Sequence, residues 1–71
     1  MKNVQTLKKE YNYNLNRYYI GCNYLSEHPE DFDKYIGSLT RIKDNVENLL
    51  NQIIDNKVKV TAKEILEGFS L

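Results

Sequence analysis

The chain has 71 residues, 10 Lys and Arg against 10 Asp and Glu, 41% hydrophobic residues and a single cysteine. That length allows one domain with a core worth only about 3–5 kcal/mol. Zero net charge removes the basic excess that drives non-specific binding to phosphate. The apolar runs fall far short of the ~20 residues that span a bilayer, and Cys22 alone allows no intrachain disulfide. No apolar core follows Met1 and Lys2, so the sequence predicts a cytoplasmic protein without a signal peptide or membrane span.

From Val4 to Leu25 the residues Val4, Leu7, Tyr11, Leu15, Tyr18, Cys22 and Leu25 recur every three or four positions, which puts them on one face of a helix expected over 2–25. Ser26, Glu27, His28 and Pro29 form the turn, 26–29, because Pro29 disfavours helical geometry at His28 and suits the first position of a new helix. Glu30 and Asp31 then complement the dipole of the second helix, expected over 29–54. Its seam, Phe32, Tyr35, Leu39, Ile42, Val46, Leu49 and Ile53, alternates steps of three and four without a break. Glu30 and Lys34 have the favourable i,i+4 order, worth about 0.2–0.5 kcal/mol.

A turn near residue 28 makes the two helices antiparallel. Counting outward from it pairs Leu25 with Phe32, Tyr18 with Leu39, Leu15 with Ile42, Tyr11 with Val46 and Leu7 with Leu49. The repeated tetrapeptides Tyr19-Ile20-Gly21-Cys22 and Tyr35-Ile36-Gly37-Ser38 come to one height, where paired glycines would let the backbones approach. After a polar stop and a short connection over 55–61, Thr61 and Glu64 make a capping box and Val60 and Ile65 a hydrophobic staple. A third helix is expected over 62–67, ended by Gly68 and followed by an apolar tail, 68–71. The fold class is therefore all-α: one domain over 1–71, an antiparallel helical hairpin with a short C-terminal helix. The segment Val60 to Leu66 resembles the opening helix of helix-turn-helix domains, but the resemblance rests on the capping box and carries no DNA-reading positions.

The two seams use about half of the hydrophobic residues. The short helix should cover Leu50 and Ile54, since the connection before it is too short to reach the turn end. Tyr13, Arg17, Ile20 and Tyr24, spaced four, three and four, then form an uncovered stripe on the first helix, with Ile36 on the flank of the second. Tyr and Arg bury large area while keeping a polar tip usable, so this stripe is the candidate partner-binding surface. A symmetric homodimer, two hairpins packed as a four-helix bundle, would hide it.

No catalytic constellation stands out. His28 lies in a turn, and Cys22 sits on the seam with nothing cationic beside it in sequence. Glu27, Glu30, Asp31 and Asp33 crowd the turn without the spacing of a calcium loop. The expectation is a non-enzymatic protein without cofactor or metal, a regulator or inhibitor that binds a larger protein. The heavy use of Asn, Lys, Ile and Tyr is the bias an AT-rich genome produces, as in phages and mobile elements. The alternative is a nucleic-acid-binding accessory protein whose dimer gathers Lys2, Lys8, Lys9, Arg17, Lys57 and Lys59 into one surface.

Overall fold

The computed structural model describes residues 2–71, so Met1 lies outside the described residues. Two long helices, α1 (Val4–Glu27) and α2 (Phe32–Asp55), pack antiparallel, and a short helix α3 (Ala62–Glu67) follows. The molecule measures 42 × 23 × 16 Å with a radius of gyration of 13.3 Å. A compact chain of this length would have a radius near 11 Å, so the hairpin is elongated.

The helix boundaries differ from the sequence expectation for local reasons. α1 starts at Val4, because the side chain of Asn3 accepts the Thr6 amide at 2.8 Å and caps the helix there. It runs on to Glu27, since Pro29 constrains only the residue before it. Pro29–Asp31 form a single 3-10 turn, with the Asp31 amide on the His28 carbonyl at 3.0 Å, and the α-helix proper begins at Phe32. The expected Glu30–Lys34 pair does not form: Glu30 faces His28 at 3.3 Å, and Lys34 lies 5.2 Å over the Tyr35 ring.

The seam is buried at one end only. Leu7, Tyr11 and Leu15 of α1 meet Leu49 and Ile53 of α2, and Phe69 from the tail completes this core. At the turn end the same heptad logic places Leu25, Tyr35, Leu39 and Ile42, yet none is fully buried, and Phe32 is 49% exposed. The equal pairing expected along the whole hairpin is therefore corrected: only the open end receives a third apolar element. The glycines are also unequal. A Cβ on Gly21 would lie 2.7 Å from Leu39 Cδ1, so this glycine admits the Leu39 side chain, whereas a Cβ on Gly37 would meet nothing within 4 Å.

The capping box forms as expected, with the Thr61 hydroxyl accepting the Glu64 amide at 3.1 Å and Glu64 accepting the Thr61 amide at 3.0 Å. Val58 and Val60 pack against the core, as does Leu50, while Ile54, Ile65, Leu66 and Leu71 stay exposed. What fixes the tail is polar. Tyr11 Oη donates to the Ile65 carbonyl and Tyr19 Oη to the Leu66 carbonyl, each at 2.6 Å, so two tyrosines of α1 satisfy carbonyls that the last turn of α3 leaves open. Asn12 brackets Phe69, accepting its amide at 2.7 Å and donating Nδ2 to its carbonyl at 2.8 Å. Gly68 makes that approach possible: its φ is 91°, and a Cβ there would lie 2.7 Å from Asn12 Oδ1.

Candidate protein-docking site

An antiparallel pair of helices has two faces, and the tail covers one. Lys8, Asn12 and Tyr19, which hold or touch the tail, project about half a helical turn away from Arg17, Gly21 and Tyr24. The face on that second side is not covered by any part of the described chain, and its character changes along its length.

Toward the open end it is a polar cleft of about 270 Å3, lined by Asn14 of α1 and by Asn45, Asn48 and Gln52 of α2. Lys2 closes it with an ion pair to Glu10 at 2.7 Å, and Asn14 donates to the Glu10 carbonyl at 2.9 Å. Amides and an ion pair are content in water, so this half needs no cover.

Toward the turn the same face becomes an apolar groove of about 450 Å3. Arg17, Ile20, Gly21, Tyr24 and Leu25 of α1 form one wall. Tyr35, Ser38, Leu39 and Ile42 of α2 form the other. Gly21 keeps the wall low enough for Leu39 to lie across the floor. Ile20 stands at the rim, 60% exposed.

The turn end is held by an aromatic and acidic cluster. Tyr24 packs edge-on against Tyr35 (centroids 5.7 Å) and lies 4.5 Å from the His28 ring. Its hydroxyl donates to Asp31 Oδ2 at 2.5 Å, and that bond to a carboxylate pushes the phenol up to about 12 from its ordinary 10.0. The turn acids thus have local tasks, Asp31 holding Tyr24 and Glu30 facing His28. On the seam, the Tyr18 phenol is also raised, chiefly by the neighbouring Cys22 thiol. Tyr11 is raised by burial and then by the nearby Tyr19.

Of the four residues singled out from sequence, Arg17, Ile20 and Tyr24 line the groove together. Tyr13 lies beyond its rim, 64% exposed, with the Arg17 guanidinium 5.6 Å from its ring centroid. Ile36 is partly buried and does not line the groove, which corrects its expected place beside Ile20. The α2 wall was missed because Tyr35, Leu39 and Ile42 count as seam when the seam is assumed to close evenly. The signal available was arithmetic: the tail offers few bulky residues, too few to close both ends of a six-turn hairpin.

The six basic residues of the nucleic-acid alternative are not a free set. Lys2 is paired with Glu10, Lys8 lies 5.3 Å over the Phe69 ring, and Arg17 is over Tyr13. Among the described residues no helix is long and apolar enough to cross a membrane. No family model, no curated protein and no solved structure matches the chain.

Proposed function

We propose that this chain is a small protein–protein interaction module that acts by docking rather than by catalysis, as a regulator or inhibitor of a larger partner. The observation that carries the reading is the apolar groove between α1 and α2 at the turn end, bare on a face whose other half is polar. The groove is open along its length and flanked by two helices, the shape that a third helix fills in a bundle. An amphipathic helix presenting apolar residues at i, i+3 or i+4, and i+7 would lay them between Ile20 and Ile42 while Arg17 and Ser38 stay at the polar rim. Tyr24, Tyr35 and Arg17 are the residue types that most often carry binding energy in such seats. The nucleic-acid alternative draws no support from the local engagement of Lys2, Lys8 and Arg17.

The test is a selection from a library of helical peptides displayed against the immobilised protein. Enriched peptides should carry the apolar spacing above and bind Ile20→Glu at least about tenfold more weakly, about 1.4 kcal/mol. They should bind Asn51→Glu, altered on the far flank of α2, like the parent. Peptides that bind all three proteins equally would overturn the groove as the docking site.

A further inference from the structure

The groove's occupant can be argued from area and from charge, resting on the reading of that groove as a docking surface. The chain exposes 5369 Å2. A monomeric protein of 8.4 kDa ordinarily exposes about 4600 Å2 by the scaling of surface with mass. The excess, roughly 750 Å2, is close to the ~800 Å2 that each partner contributes to a standard interface. The exposed parts of Tyr13, Ile20, Tyr24 and Tyr35 supply about half of that area, taking ~200 Å2 for a fully exposed side chain of this size. Part of this surplus belongs to the elongated shape of the hairpin, and it is large enough to hold one interface.

The charges along the rim say which partner fits. Tyr13, Arg17, Ile20, Tyr24 and Glu27 follow one another at steps of four, three, four and three, a single stripe on α1. Arg17 stands toward one end of it. The other end is acidic, with Glu27 on the stripe and Asp31 held beside it by the Tyr24 hydroxyl. Such a stripe is complementary to itself when reversed. Turned about a twofold axis at Ile20, Arg17 of one copy comes level with Asn23 of the other, one residue from its Tyr24 and about four residues, ~6 Å of rise, from its Glu27. Tyr13 of each copy comes level with the acidic end of the other, and the Ile20 side chains meet at the axis.

We propose that the α1 wall of the groove is covered by a second copy of this chain, α1 against α1 in antiparallel orientation, with each Arg17 set against the Tyr24–Glu27 end of the other copy. The contact is isologous, so it closes at two copies and leaves the tail-covered faces outward.

Sedimentation equilibrium from about 1 µM to 1 mM reads it directly, because self-association depends on protomer concentration. The parent should pass from 8.4 kDa to twice that mass. Arg17→Glu and Glu27→Arg should each move the midpoint at least about tenfold higher while keeping the helical circular dichroism of the parent, since both side chains are exposed. Mixed in equal amounts, the two variants should recover the parent's midpoint, because both contacts of the mixed dimer are again opposite in charge. A parent that stays at 8.4 kDa throughout, or a mixture no tighter than either variant alone, overturns the self-pairing. A monomeric parent that still loses its selected peptides on Ile20→Glu would overturn only the second copy as occupant. Loss of that peptide discrimination as well would bring down the docking groove itself.

Discussion

Asn12 reaches across 57 positions to hold Phe69 by both its backbone groups, at 2.7 and 2.8 Å, and Asn12→Ala removes both bonds at once. Each is worth about 0.5–1.5 kcal/mol net, so the substitution should cost roughly 1–3 kcal/mol. In a domain worth about 3–5 kcal/mol that is a large share, and it falls on the segment that brings Phe69 into the core. The loss should show as a lower urea midpoint and as faster exchange of the Phe69 amide, with α1 and α2 keeping their protection until global unfolding. Asn12→Asp refines the test. The carboxylate keeps an acceptor for the Phe69 amide but sets its second oxygen against the Phe69 carbonyl. It should therefore destabilise at neutral pH, and its deficit relative to the parent should shrink near and below pH ~4, where a protonated carboxyl can donate again. Phe69 amide protection in Asn12→Ala equal to the parent's, with melts agreeing within a few tenths of a kcal/mol, would show that the bracket does not hold the tail.

Gly37→Ala should raise stability by about 0.5–1 kcal/mol in a thermal melt, because the added methyl meets open space and the helix gains propensity. Gly21→Ala places the same methyl 2.7 Å from Leu39 Cδ1, so overpacking of about 1–3 kcal/mol should outweigh that gain and give the opposite sign. Thr61→Ala should cost about 0.5–2 kcal/mol and fray α3, seen as lost amide protection confined to the residues after 60. The Tyr24–Asp31 bond raises the phenol in the folded state from 10.0 to about 12, so its contribution is whole below pH 10 and is lost as pH climbs through about 12. Alkaline unfolding curves of the parent and Tyr24→Phe should accordingly differ below pH 10 and converge across that window.

The two long helices are legible in the sequence because a step of three or four is a local property, carried by neighbours such as Leu39, Ile42 and Val46 on one element. The capping box of Thr61 and Glu64 is legible for the same reason. The tail's anchorage is not. Asn12, Tyr11 and Tyr19 bond to backbone atoms of Phe69, Ile65 and Leu66, and a backbone carbonyl looks the same at every position, so no pairing pattern announces which side chain will meet it. The expected apolar staple between Val60 and Ile65 divides in the structure: Val60 packs against the core, while Ile65 remains exposed and is held through its carbonyl by Tyr11.

The groove follows from the same division between local pattern and distant closure. Leu49 and Leu39 are the same residue type and both lie on the seam, so periodicity treats both as core. Leu49 is nevertheless buried and Leu39 only partly so. Leu49 belongs to the core cluster that Phe69, Val58 and Val60 complete at the open end, and no residue of the 58–69 segment joins a cluster at the turn end. A hairpin has two faces and two ends, which makes four quarters. The tail-side quarter at the open end is filled by Phe69, and the opposite quarter at that end is solvated by Asn14, Asn45, Asn48 and Gln52. At the turn end the quarter facing away from the tail side carries Ile20, Leu39 and Ile42, with only Arg17 and Ser38 as polar neighbours among the lining residues and no residue of the tail over them. Had this face been meant for water, the amide-rich composition of its open half would be expected to continue past Asn14 and Asn45 toward the turn. It stops where Arg17, Ile20 and Gly21 begin, and beyond that point the groove is lined mainly by Ile20, Tyr24, Leu25, Tyr35, Leu39 and Ile42.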